Sequence, residues 1–365
     1  MRKQGWTDRL TRLAPGLIDV HTHAIDPDFP DLSQYEGTFP SVERLGPHSA
    51  RILLGGQLYR EVDERCWSTS ARIRDMDAEG VGVQILSPIP VTLSHGEPAA
   101  GAIELARAQN EFLSAMVATA PDRFLAFGAV PMQAPEVAVD ELIRCVNDLG
   151  FVGVEIGTRI GDSDLSDGRF RDFFRVASDL SAAVLIHPFD RASDPRIVSA
   201  GLTFGLGMPT DTAVAAAQLL KSRMLDEAPD ARFILAHGGG SLPALLPRLD
   251  RGQLLAGNGE QTSMSTRARK LLCDSLTYDL ASLELALTRF GHDHVMMGTD
   301  YPFAARETPA GSILADLSDD LRARVSRSNL CTLCASIRPG SNAQHAAKIR
   351  ADRGAADSRH HTTGG

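Results

Sequence analysis

Short apolar runs rich in Val, Ile, Leu and Phe recur along the chain, each closed by Gly, Pro or a polar residue. They alternate with stretches whose apolar residues repeat at helical spacing. The runs are GLIDVHTH (16–23), VGVQILSP (81–88), FLAFGAVPM (124–132), FVGVEIGT (151–158), AAVLIHPFD (182–190), RFILAHGGG (232–240), LTYDLA (276–281) and VMMGTDYPF (295–303). Between them AIELARAQNEFLSAMVATA (102–120) and EVAVDELIRCVNDLG (136–150) read as helices, the second closing on a glycine as helices commonly do. Apolar strands alternating with helices predict a parallel sheet covered on both faces. Eight such units predict an α/β fold of the (β/α)8 TIM barrel type, since a doubly wound sheet usually needs fewer.

Two stretches fall outside the repeat. Residues 24–75 form a long insertion after the first strand, and within it ARILLGGQLYREV predicts a small hairpin turning at Gly55-Gly56. Residues 339–365 are polar and lack aromatics, which predicts a disordered tail behind a barrel domain spanning 1–338.

Composition narrows the function classes. With 43% hydrophobic and 23% charged residues, the 365-residue chain can bury a full core. A net charge of −9 argues against a nucleic-acid partner, because phosphate contacts need a basic surface. No run approaches the roughly 18 apolar residues of a membrane span, and the first residues lack the apolar segment of a secretory signal. Five cysteines do not suggest a disulfide scaffold, so a cytoplasmic protein is expected.

In such a barrel the carboxyl ends of the strands converge on one mouth, where active sites lie. The first run ends in His21-Thr-His23, and period-2 geometry puts both imidazoles on one face. The fifth run ends in His187, the sixth in His237 and the eighth in Asp300. Of 11 histidines three (His345, His360, His361) lie in the tail, and four of the other eight stand at predicted strand ends beside a carboxylate. Hydrogen-bonded core histidines would have no reason to cluster this way, so the pattern predicts a mononuclear metal site. Imidazole nitrogen and carboxylate oxygen suit Zn2+, with iron, cobalt or manganese left open. A catalytic ion keeps one position for water and lowers its pKa toward roughly 7. Five side chains are too many for a four-coordinate ion with a water, so one is expected to move protons instead. Gly238-Gly239-Gly240 after His237 favours His237 for that role, although spacing alone does not separate the two roles.

The segments IDVHTH, HPFD, AHGGG and GTDYPF together resemble the amidohydrolase-related metal-dependent decarboxylases, the branch containing aminocarboxymuconate semialdehyde decarboxylase. The resemblance runs from about residue 17 to about 335. It takes in RCWSTSARIRDMDAEGVGVQILSPIPV (65–91), VPMQAPE (130–136), GVEIGT (153–158) and GMP (207–209). It implies an amidohydrolase-like barrel and a zinc-dependent, non-oxidative decarboxylase of an unsaturated or aromatic (amino)carboxylic acid. By that resemblance His21, His23, His187 and Asp300 hold the zinc and His237 activates its water. The hydroxide would add to the substrate, a proton would reach the carbon bearing the departing carboxylate, and carbon dioxide would leave as the water is expelled. Arg60 and Arg248 match positions that bind substrate carboxylates, and guanidinium suits that task. Arg248 is then expected to reach the neighbouring subunit's site in a homodimer, and Phe303 to wall the pocket. The alternative is a metal-dependent hydrolase of the same superfamily acting on an amide, lactone or C–C bond. Against it, Glu155 stands where a lysine would bridge a second ion.

The chain also departs from the resemblance. Phe189 replaces a usual Trp, Glu155 a usual Gln, and the 190–209 loop lacks tryptophan, so a wider, less aromatic pocket is expected. His95 has two readings, a pocket-lining residue and, as the plainer one, a solvated loop histidine. Cys331 and Cys334 read as buried helix cysteines rather than redox chemistry. His292 and His294 precede a strand and belong to the far end of the barrel. HGGG lacks the following Lys-Ser/Thr of a phosphate-binding loop.

Overall fold

The computed structural model describes residues 5–189, 194–258 and 261–340. The first run forms β1 (Leu17–Ala24), and the insertion after it forms β2 (Pro40–Gly46), β3 (Ser49–Leu54) and β4 (Gln57–Asp63). The next four runs form β5 (Val81–Pro88), β6 (Phe124–Ala129), β7 (Gly153–Gly157) and, after a short hairpin of β8 (Arg159–Ile160) and β9 (Ser163–Asp164), β10 (Ala183–His187). β11 (Arg232–Leu235), β12 (Leu272–Asp274) and β13 (Val295–Met296) complete the set. Eight strands pair in the order β1-β5-β6-β7-β10-β11-β12-β13, every recorded pair parallel. The ring closes through Val20 N–H to Met297 O (2.9 Å), His23 N–H to Tyr301 O (2.7 Å) and Asp300 N–H to His21 O (2.8 Å). This is the predicted (β/α)8 barrel.

Local chemistry sets the helix ends between the strands. Ser68 caps the helix Thr69–Glu79 by accepting from Ala71 N–H, and Gly80 closes it in the left-handed region. Strand residues are buried on both faces, as in VGVQILSP, because helices cover the outside and side chains fill the inside. No helix among the described residues is long and apolar enough to cross a membrane.

The hairpin turns at Gly55-Gly56, both with positive φ, and β2 adds a third antiparallel strand to it. Its own small core of Ala50, Ile52 and Val62 meets Ile25, Cys66 and Ile89, which seats the sheet over the barrel mouth. The seventh strand corrects the sequence reading. The strand is β12, and residues 276–281 are already leaving the barrel. Tyr278 takes a positive φ there, and Asp279 caps the helix Leu280–Phe290 through Ser282 N–H. A turn followed by a first helical turn reproduced the alternation of a strand. Of the predicted tail only residues 339 and 340 are described.

Candidate active site

His21 and His23 stand on β1 two residues apart, both fully buried and both facing the barrel axis. His187 ends β10, and Asp300 follows β13. One donor atom from each of these four lies within 4.8 Å of the others. Each imidazole is anchored from behind. His21 Nδ1 donates to Asp274 Oδ2 at 2.6 Å, His23 Nδ1 to Pro88 O at 2.8 Å, and His187 Nδ1 to Pro188 O at 2.7 Å. With the protons at Nδ1, the Nε2 lone pairs point at one another.

The resulting contacts are those of acceptors without donors. His21 Nε2 lies 3.2 Å from His23 Nε2, and Asp300 Oδ1 lies 3.1 Å from His23 Nε2. His187 Nε2 and Asp300 Oδ1 are buried with no hydrogen-bond partner among the described residues. A separation of 3.2 Å matches the edge of a coordination polyhedron with bonds of about 2.0–2.1 Å. The donor set therefore fits a divalent cation, which satisfies all four atoms at once.

Protonation follows the same geometry. Burial and the neighbouring imidazoles hold His187 well below its usual range. Burial also lowers His21, but the Asp274 hydrogen bond and charge, with Asp300 and Glu155, overcome it and raise the ring to about 9. Burial would raise Asp300, yet the close His23 ring and the charges of the neighbouring histidines bring it to about 2. Without a cation, His21 is thus the ring that takes up a second proton and a positive charge.

His237 sits beside this cluster, its ring centroid 5.1 Å from that of His21 and 4.9 Å from that of His187. Its Nε2 has no hydrogen-bond partner among the described residues, and burial with the nearby His21 charge pushes it down to about 4, so it is a neutral base at pH 7. Its backbone adopts φ +56°, and Asp300 adopts φ +67°, a region costly for residues with a Cβ. Asp274 fixes the first of these bends by accepting from His237 N–H and Gly238 N–H, both at 2.8 Å. Gly238 is required because a Cβ there would lie 2.4 Å from Thr277 Cγ2. The glycines after His237 therefore serve packing.

A cavity of about 520 Å³ opens over His187 and Asp300, walled by Tyr59, Arg60, Phe204, Met208 and Phe303. Phe303 stacks on His23 at 5.2 Å, and the Arg60 guanidinium lies over the other end of this column, 4.3 Å from the Phe303 ring centre. A cationic group and an apolar ring thus adjoin the donor cluster.

The profile of one protein family, described as amidohydrolase, matches residues 18–329. The chain belongs to the amidohydrolase family. Two of its curated relatives are named decarboxylases, and this amidohydrolase is an enzyme of that class. It is 29% identical over 308 residues to 2-amino-3-carboxymuconate-6-semialdehyde decarboxylase of Dictyostelium discoideum, covering 83% of this chain and 86% of that one. It is 31% identical over 269 residues to gamma-resorcylate decarboxylase of Rhizobium sp. (strain MTP-10005), covering 68% and 81%. Among solved structures, the dihydroxybenzoic acid decarboxylase of Polaromonas sp. JS666, with bound manganese and the inhibitor 2-nitroresorcinol, shares the fold. The TM-score is 0.70 at 23% identity, covering 87% and 96% of the chains.

Within the amidohydrolase barrel, His21, His23, His187, His237 and Asp300 come together, and Arg60 and Phe303 line the same cavity. Arg248 does not. It is exposed on the helix Leu242–Leu255 and borders a separate groove with Lys221, Arg223 and Asp226. The 190–209 loop, described from residue 194, adds Thr203, Phe204 and Met208 to the wall, so it does bring an aromatic ring. Glu155 points into the barrel, fully buried, and burial raises its carboxyl to about 8. His95 corrects the expectation of a solvated loop. It is 2% exposed, because the turn carrying it folds inward beneath the insertion.

Sequence reasoning missed Asp274, which anchors His21 and shapes the turn at His237. It ends β12, so a correctly placed seventh strand would have put this carboxylate at the mouth. Arg72 was missed as well. Fully buried behind β1, it donates to His23 O and to Gln84 Oε1 (3.0 Å), and stacks 5.0 Å from the Tyr301 ring. A lone arginine in an amphipathic helix gave no signal.

Proposed function

We propose that this amidohydrolase is a zinc-dependent, non-oxidative decarboxylase of an aromatic or unsaturated carboxylic acid. His21, His23, His187 and Asp300 would hold the ion, and His237 would transfer the proton. The observation that carries this reading is the convergence of anchored Nε2 atoms and Asp300 on a cavity walled by the Arg60–Phe303 stack. Zinc suits three nitrogens and one oxygen, while the manganese in the Polaromonas structure is the alternative that metal analysis must separate. When bound, the ion supplies Lewis acidity and lowers the pKa of water at its open position.

The chain's own residues carry the rest. Arg60 takes a substrate carboxylate, and Phe303 packs on the flat body. His237 Nε2, neutral at pH 7, takes up a proton from solvent and delivers it to the carbon losing its carboxylate. The C–C electron pair stays on that carbon and forms the new C–H bond, and carbon dioxide departs.

A homodimer with Arg248 serving the partner's site is the second part of the reading. Arg248 shares its helix with exposed Leu245, Leu254 and Leu255, and Val214 on the adjoining helix is exposed too. Such apolar exposure favours burial against another chain. Mixing an Arg248→Ala protein with a metal-ligand variant should restore part of the activity, and verified mixed dimers without recovery would refute it.

The central test is anaerobic incubation of the zinc-loaded protein with aminocarboxymuconate semialdehyde and with 2,6-dihydroxybenzoate. Metal-dependent carbon dioxide release is expected from one of them. Incorporation of solvent oxygen without carbon dioxide would instead identify a hydrolase.

A further inference from the structure

We propose that a second cavity at the barrel mouth is a binding subsite for a small organic carboxylate with an apolar body. This cavity of about 300 Å³ is lined by Leu54, Val91, Ser94, His95, Arg159 and Phe189, with Glu97 and Asp162 toward its edge. It meets the first cavity along two shared walls. Ile89 and Pro90 line one cavity and Val91 the other, and Pro188 and Phe189 divide in the same way.

Part of the polar lining has been taken out of water without gaining partners. Ser94 Oγ and both ring nitrogens of His95 are buried and make no hydrogen bond among the described residues, the two residues being only 8% and 2% exposed. A buried polar group left unmet is costly, so a site that keeps several together is built for something that meets them. The Gln133 side chain interacts with the His95 ring, but neither nitrogen is in hydrogen-bonding geometry. Even with Gln133 engaged, one nitrogen remains for a ligand.

The turn that presents these groups is held under strain. Ser94 adopts φ +49° and ψ +36°, and Gln133 Nε2 clamps the turn by donating to Ser94 O (2.9 Å) and Glu97 O (3.0 Å). Burial holds the His95 ring at about 3, so it is neutral and offers one N–H. Phe189 meets its edge at 6.2 Å and 90°. Arg159 brings a half-buried cation with no carboxylate in ion-pair distance among the described residues, Asp211 acting only from farther away. Of the two acids lining the cavity, Glu97 already accepts from Thr38 N–H at 2.6 Å, and Asp162 is exposed. A carboxylate would accept from the guanidinium, the hydroxyl and the imidazole N–H, while its body packs on Phe189, Val91 and Leu54.

The ligand could be the far end of the molecule held in the first cavity or a separate carboxylate. The inference rests on this cavity alone and not on the decarboxylase reading. The test is a 19F NMR titration of the zinc-loaded full chain with 4-fluorobenzoate. Two bound equivalents are expected, one lost on metal removal and the other weakened about tenfold or more by Arg159→Gln and by His95→Phe, with metal content unchanged. A single equivalent in the zinc-loaded parent that vanishes on metal removal, or two equally tight in Arg159→Gln, would overturn the proposal. A single equivalent that survives metal removal and is weakened by Arg159→Gln would instead count against the metal-site reading. 4,4′-Biphenyldicarboxylate then separates the sources. Displacing both equivalents at one per chain identifies the far end of one ligand, and at two per chain an independent carboxylate.

Discussion

Two cavities share the mouth of this barrel, and they use imidazole in opposite ways. In the first, His21, His23 and His187 each have Nδ1 tied to an acceptor, so each presents a lone pair at Nε2. In the second, neither nitrogen of His95 is in hydrogen-bonding geometry among the described residues, and Gln133 engages at most one of them. An anchored ring is committed to one tautomer and behaves as a fixed donor of electrons, which is what a cation requires. An unanchored neutral ring can donate from one nitrogen and accept at the other, which suits an organic ligand. The residue type is the same, and the acceptor behind it decides the chemistry.

The largest effect is expected at His237, the one imidazole of the first cavity given a proton-transfer role. His237→Ala should lower kcat about 10²–10⁴-fold while metal content by elemental analysis stays at the parent level. Loss of the metal would make His237 a ligand and erase its distinction from the anchored three. Next comes the anchor itself. Asp274→Asn should weaken metal affinity about 10–100-fold in a chelator competition, because His21 loses the acceptor that orients it. Unchanged affinity would show that anchoring does not define the site. Arg60→Ala should raise KM about tenfold with a smaller change in kcat, as for binding shared by ground and transition states. An equal fall in kcat alone would place Arg60 in the chemistry.

A smaller effect tests the buried carboxyl of Glu155. Burial raises Glu155 to about 8 from an unfolded value of 4.5, so between those pH values the folded chain holds a proton that the unfolded chain releases. That contribution is fully present below about pH 4.5 and is lost as pH rises through 8. In metal-free protein, Glu155→Gln should therefore melt a few degrees above the parent at pH 9, with the gap closing at pH 5. A gap independent of pH would mean that the carboxyl is not neutral when buried. Smallest of all, His292→Asn should leave metal content and turnover unchanged, since that ring stands at the opposite end of the barrel.

The anchored cavity was far more legible in the sequence than the other. His21 and His23 follow from the period of a strand, His187 and Asp300 from their places after apolar runs, and the hairpin from Gly55-Gly56. Asp274 was hidden because the turn at 276–281 copies strand alternation and drew the seventh strand past its true end. His95 was hidden for a different reason. It lies in a turn with no period, and its burial depends on Gln133, 38 residues later, and on an insertion that folds back over it. Periodic structure leaves a record in spacing, whereas a buried loop leaves none.

The ring closure has a consequence for how the site comes into being. Asp19 on β1 accepts from both the N–H and the hydroxyl of Thr299, a contact spanning 280 residues, and Asp300 N–H bonds to His21 O beside it. These are among the most costly loops for the chain to close, so they form late. During synthesis His21, His23 and His187 emerge well before Asp300, and the nascent chain carries three of the four donors without the fourth. Completing the coordination set and completing the barrel are therefore one event, and the site is born only with the last strand.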